Sequence, residues 1–232
     1  MSVIDLIATA GLGSLLGLRH ALEPDHVAAV STLMTSERSS GRAALLGVFW
    51  GLGHTAALVA VGLALVVFRA ELPPALADLF ELLVAFMLVG LGARAVCTAA
   101  RQGPDGPIHV HRHGGMMHRH AAAPAHVHVW RWTLARRPLL VGAVHGLAGS
   151  GALTALVLTT LPSAASRLIY MALFGLGSTA GMAALSGLLG WPLARAGAHR
   201  SASRAITFTI GAMSIGLGMV WGYPLAARLL AG

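Results

Sequence analysis

Long apolar runs set the pattern of this chain. Six of them, at about 3–35, 43–68, 74–98, 138–161, 166–192 and 203–229, come near or above the roughly 20 residues that a helix needs to cross a bilayer. The second, fourth and fifth are almost wholly apolar apart from His54 and His145. The first is long and is interrupted by Arg19-His20-Ala21-Leu22-Glu23-Pro24-Asp25-His26, five ionisable residues and a proline within eight positions. A polar segment at about 99–137 separates the third run from the fourth. The pattern predicts an all-α polytopic membrane protein with six transmembrane helices, the first of them broken.

The runs also repeat. Gly17-Leu18-Arg19-His20-Ala21-Leu22 matches Gly142-Ala143-Val144-His145-Gly146-Leu147, and Trp50-Gly51-Leu52-Gly53-His54-Thr55-Ala56 matches Phe174-Gly175-Leu176-Gly177-Ser178-Thr179-Ala180. Val89-Gly90-Leu91-Gly92 matches Ile215-Gly216-Leu217-Gly218. The matches fall on three successive helices at nearly constant separation. Three spans make an odd number of crossings, so the two copies must be inverted relative to each other. Inverted repeats around a broken helix are the construction of many secondary transporters. The chain thus reads as a 3+3 inverted repeat: a first three-helix unit at 1–98, a His-rich segment at 99–137 and a second three-helix unit at 138–232. His20 and His145 take equivalent places, which a pseudo-two-fold axis in the membrane plane would bring together. Ser178 replaces His54 in the second unit.

Composition agrees. The chain is 56% hydrophobic and 10% charged, where a soluble domain is about 25% charged. All 16 basic residues are Arg, and in such a chain they read as topology signals, not as a nucleic-acid surface. With the N-terminus outside, the inner segments hold Arg38, Arg42, Arg101, Arg112, Arg119, Arg131, Arg136, Arg137, Arg195, Arg200 and Arg204, and the outer ones only Arg69, Arg167 and Arg228. The positive-inside rule then predicts both termini outside and the His-rich segment in the cytoplasm of a bacterial cell, with the chain in its inner membrane. Cys97 is the single cysteine, which excludes an intramolecular disulfide. Met1-Ser2-Val3-Ile4-Asp5 has neither a basic n-region nor a cleavage site, so it does not read as a removable signal peptide.

The cluster in the first run is where chemistry is expected. A charged side chain at the centre of a membrane helix costs roughly 2.5–3.5 kcal/mol on insertion scales, so it normally has a partner, a bound ion or an aqueous path. In a straight helix His20 and His26 would stand about 120° apart. Pro24 lacks an N–H and so takes the helical partner from the carbonyl of His20, and it pushes Glu23 away from helical dihedrals. The expected result is a kink where His20, Asp25 and His26 converge. The structural alternative is Arg19 paired with Glu23 or Asp25, with the histidines bonding between helices. His54, among the glycines of the second span, and His145, at the start of the fourth, are further candidate ligands, each weighed against a simple helix–helix hydrogen bond. Glu23 and Arg19, with Ser150, Thr55 and Ser178, are candidates for supporting the ligands or coupling protons. A site of His and carboxylate without thiolate suits Ni²⁺, Co²⁺, Zn²⁺ or Cu²⁺. The segment holding His109, His111, His113, His118, His120, His126 and His128 reads as a flexible metal-capturing tract or as a solvated loop with incidental affinity.

Arg19-His20-Ala21, then three residues, then Asp25-His26 resembles the signature of the nickel/cobalt transporter superfamily. Leu52 to Ala56 and Gly181-Met182 are similar to later motifs of that family, so the resemblance covers most of the chain. Ser186 stands where the eight-helix permeases carry an Asp, and six spans fall short of eight. The chain therefore resembles the shorter, urease-accessory-type branch. The resemblance implies metal recognition by His20, Asp25 and His26. The His-rich segment is similar to that of the exporting branch.

The expected function is secondary transport of Ni²⁺ or Co²⁺, by uptake, with no permanently bound cofactor and no enzymatic activity. Efflux with capture by the His-rich segment is the alternative. The expected partners are the transported ion and the lipid bilayer, with a second copy of the chain and nickel-enzyme maturation proteins as further candidates. Nucleic acid is not among them. An intramembrane serine protease built on Ala148-Gly149-Ser150-Gly151 would need a histidine base that the last span lacks. A zinc protease would want His-Glu-x-x-His, and a thiol–disulfide carrier would need a second cysteine.

Overall fold

The fold is described from a computed structural model. Its backbone is described for residues 3–35, 37, 39–68, 72–101, 109–113, 116–120, 127–129, 132–134, 136–161, 163–196 and 200–231. Side chains are described for 11–35, 37, 39–68, 72–101, 136–148, 161, 163–193, 195 and 201–230.

The first apolar run forms two helices, α1 (Val3–His20) and α2 (Pro24–Met34). Pro24 opens α2 at a position where its missing N–H costs nothing. Glu23 before it is extended, with φ −64° and ψ 148°, as a residue preceding proline prefers. The carbonyl of His20 has no i+4 partner, as expected of a residue four before a proline, but it accepts the N–H of Glu23 at 3.0 Å, and Arg19 likewise accepts Leu22 at 2.9 Å. The end of α1 tightens into i→i+3 bonding, which satisfies the carbonyl that the proline would otherwise orphan.

The remaining helices are α3 (Ser40–Phe68), α4 (Pro74–Arg101), α5 (Arg136–Thr160), α6 (Ala164–Ala196) and α7 (Arg200–Ala231). Among the described residues α3, α4, α6 and α7 are long and apolar enough to cross a membrane. Their outer faces carry large exposed apolar side chains, among them Phe86, Leu176, Leu188 and Met213. A surface of this kind belongs against lipid. The protein is a helical membrane protein.

Between α4 and α5 the chain forms two short hairpins, where the sequence alone suggested only a loop. β1 (His109–His113) pairs antiparallel with β2 (Met116–His120), and β3 (Val127–Val129) with β4 (Trp132–Leu134). The sequence there alternates in short steps bounded by glycine or alanine runs, a weak strand pattern. The register sets His109 opposite His120 and His111 opposite His118. His126 lies outside the described residues.

The most extensive packing is α3 on α6, α4 on α7, α3 on α5 and α1 on α6. Two pairs of close approaches mirror each other. Gly17 of α1 rests on the carbonyl of Phe174 in α6, and Gly142 of α5 rests on that of Trp50 in α3. Gly53 of α3 meets the carbonyl of Leu139 in α5, and Gly177 of α6 meets that of Ser14 in α1. No residue with a Cβ fits at these four places without displacing backbone, which is how small residues bring membrane helices together. The main core joins Met34 of α2, Trp50 of α3, Leu88 of α4 and Met182 of α6. A second cluster joins Leu58 to Tyr170, Met171 and Phe174. The break between α1 and α2 lies beside both.

A candidate metal centre

Four imidazoles and one carboxylate meet at that break. The end of α1 supplies His20, the first turn of α2 supplies Asp25 and His26, α3 supplies His54 and α5 supplies His145. The ring of His26 is central, with centroids 4.5 Å from His20, 4.6 Å from His145 and 5.5 Å from His54. His20 and His54 are 5.2 Å apart. His26, His54 and His145 are at most 1% exposed and Asp25 is 9% exposed.

The hydrogen bonds decide which nitrogen each ring presents. Nδ1 of His20 lies 3.0 Å from Oε1 of Glu23, and Nδ1 of His26 lies 2.9 Å from Oδ1 of Asp25. A neutral imidazole donating from Nδ1 keeps its lone pair on Nε2. Nδ1 of His145 faces the carbonyl of Val141 at 3.3 Å, with the same consequence. Nε2 of His20, His26 and His145 and both nitrogens of His54 are buried and have no hydrogen-bond partner among the described residues. Nε2 of His145 does face Oδ2 of Asp25 at 3.5 Å. Two acceptors face each other there, an arrangement that a cation between them satisfies. An Nδ1–H held by a carboxylate or carbonyl while Nε2 points inward is the usual support of metal-ligating histidine.

The donors fall into two overlapping groups. Potential ligand atoms of His20, His26 and His54 lie within 4.8 Å of one another, and so do those of Asp25, His26 and His145. The sequence predicted convergence of His20, Asp25 and His26 on one point. The structure instead turns Asp25 toward His145 and gives Glu23 to His20, so His26 alone belongs to both groups. His20 and His145, which the repeat makes equivalent, both lie against the ring of His26, at 4.5 and 4.6 Å.

Aromatic residues wall the cluster in matching fashion. Trp50 lies 5.4 Å from His26 and 5.6 Å from His145, and Phe174 lies 5.3 Å from His20. These two residues are counterparts in the sequence repeat. A cavity of about 470 Å³ reaches the cluster, lined by Arg19, His20, Glu23, Asp25, His26 and His145 together with Glu81 of α4 and Trp221 of α7.

The chain is 34% identical to the urease accessory protein UreH of Bacillus sp. (strain TB-90) over 192 residues, which are 83% of this chain and 80% of that protein. It belongs to the UreH family. This agrees with the resemblance of Arg19 to His26 to the nickel/cobalt transporter superfamily and its urease-accessory-type branch. No family model matches the chain, and no solved structure matches it.

Other residues singled out in this UreH-family sequence take various places. Arg19 lines the cavity and makes no ion pair among the described residues, so the Arg19–carboxylate pairing considered for the motif is not what this structure holds. The hydroxyl of Thr55 donates to the carbonyl of Gly175 at 3.0 Å and lies 3.1 Å from that of Thr179. It ties α3 to α6 and is not drawn to the histidines. Ser178 is fully buried against Gly17. The side chains of Ser150 and of the histidines between α4 and α5 lie outside the described residues. Sequence reasoning missed Trp50, Phe174 and Glu81. The first two look like ordinary core aromatics in a sequence, but Glu81 could have been found as one of two carboxylates, with Asp78, in the third apolar span.

Proposed function

We propose that the chain is a secondary transporter that carries Ni²⁺ or Co²⁺ inward across the cytoplasmic membrane, with His20, Asp25, His26, His54 and His145 as its transport site. One observation carries the reading. Buried imidazole nitrogens of four different histidines converge beside a carboxylate inside an apolar bundle, at a helix break lined by a cavity. Nitrogen and oxygen donors without thiolate suit a divalent first-row ion, and two groups sharing His26 offer it a step from one set of donors to the other. The ion is the cargo, and no permanently bound cofactor is needed. The UreH relationship, through the words "urease accessory", fits a supply of metal to a nickel enzyme.

The architecture in this reading has six spans. α1 with α2, α3 and α4 form one inverted unit and α5, α6 and α7 the other, with the His-rich hairpins between them in the cytoplasm and both termini outside. The mirrored glycine contacts and the packing of His20 and His145 against His26 support it. So does the excess of arginine on one side. The two units rocking about the central site would provide alternating access.

Proteoliposomes enclosing a metal-sensing dye test this reading. Addition of nickel or cobalt should raise the signal with wild type and not with His26→Ala. A signal no faster than that of empty vesicles would sink it.

A further inference from the structure

The buried donors do not account for Glu81. It sits in the third turn of α4, inside a helix long and apolar enough to span the membrane, where a carboxylate is costly. Glu81, Val84 and Ala85, spaced i, i+3 and i+4, all line the cavity that leads to His26 and His145, so one face of the helix forms this wall. Exposure falls along that face, from an exposed Glu81 to a fully buried Leu88. Glu81 therefore stands at the outer end of this wall.

Neighbouring carboxylates are already engaged. Asp78 is held by Arg228 at 3.1 Å, Glu23 by His20, and Asp25 by His26 and His145. Glu81 has no ion pair or hydrogen bond among the described residues. Arg19 lines the same cavity but lies within ion-pair distance of none of these carboxylates. Farther in, Nε2 of His26 and Nε2 of His145 are buried and without a hydrogen-bond partner. A cation entering this cavity thus meets a free carboxylate before it meets the imidazoles.

We infer that Glu81 is the carboxylate that first receives the divalent cation, holding it in the outer part of the cavity before it passes to the buried imidazoles. The inference rests on the transport reading and deepens it. Glu81 sets how fast the ion is captured, whereas the histidines set how tightly it is held. Charges that act before final docking change association rates and their salt dependence more than dissociation.

The test is stopped-flow quenching of tryptophan fluorescence by Ni²⁺ in the purified full-length protein, since Trp50 packs on His26 and His145. Glu81→Gln and Glu81→Ala should associate about five- to tenfold more slowly at low ionic strength, with dissociation changed less than about twofold. The deficit should shrink as salt is added. Glu81→Asp should stay within about twofold of wild type, and so should Glu37→Gln, whose carboxylate does not line the cavity. Wild-type association by both uncharged variants of Glu81 overturns the inference and leaves the transport site standing. An equal slowing by Glu37→Gln also overturns it, because net charge alone would then explain the effect. No saturable quenching in wild type would instead refute the metal centre, and this inference with it.

Discussion

Replacing His26 by Ala tests whether the donors form two groups around one shared ring. The substitution removes a ligand atom from both groups at once. It also releases Oδ1 of Asp25 from its 2.9 Å hydrogen bond. Loss of a residue that merely orients a metal ligand costs about 10–100-fold in affinity. A shared ligand whose loss also frees a carboxylate should therefore cost more than about 100-fold, equivalent to more than about 2.7 kcal/mol. His20→Ala leaves Asp25, His26 and His145 in place, and His145→Ala leaves His20, His26 and His54. Each should cost only about tenfold, in the range of a single supporting contact. The double variant should approach His26→Ala, because two losses of about tenfold in separate donor groups add to about 100-fold. Breaking a buried pair can itself destabilise by about 3–5 kcal/mol, so each variant's amount in the membrane must be measured by immunoblot. His26→Gln, which keeps volume and a donor for Asp25, serves as the control. The assay is equilibrium dialysis of radioactive nickel against purified protein. Equal losses for His20→Ala, His26→Ala and His145→Ala would refute the shared-ligand arrangement and favour a single site.

Packing and the remaining polar contacts give further expectations. Gly142→Val would drive its side chain into the carbonyl of Trp50 and should cost at least about 1–3 kcal/mol, the usual effect of overpacking; unchanged thermal unfolding in detergent would contradict the close approach. Thr55→Val loses the bond to Gly175 but should cost only about 0.6 kcal/mol, as interhelical hydrogen bonds in membranes do, with transport retained. A fall in nickel affinity would give Thr55 a role at the metal centre. Deleting residues 105–130 should leave transport largely intact, and a change of metal selectivity would show that the hairpins choose the ion.

Much of the fold could be read from the chain because lipid imposes a simple rule. A helix that must cross a bilayer is written as one apolar run, so α3, α4, α6 and α7 stand close to the runs that announce them. The break after His20 was visible for the same reason, since Pro24 can only open α2. What sequence could not supply was side-chain direction. Asp25 turns to His145, 120 positions along the chain, and Glu23 turns back to His20, and nothing in the spacing of those residues distinguishes the two. Trp50 and Phe174 were legible as repeat counterparts but not as walls of the cluster. The hairpins were missed because histidine alternating with valine or arginine carries little apolar signal.

The central claim is tested most directly by cellular nickel and cobalt content in a bacterial host without transporters of its own, at low external metal. Wild type, His26→Ala and empty vector would be compared, with equal amounts of both proteins in the membrane. Accumulation of either metal with wild type alone is the predicted result. Metal content in wild type at or below that of the empty vector would contradict uptake through the His26 centre.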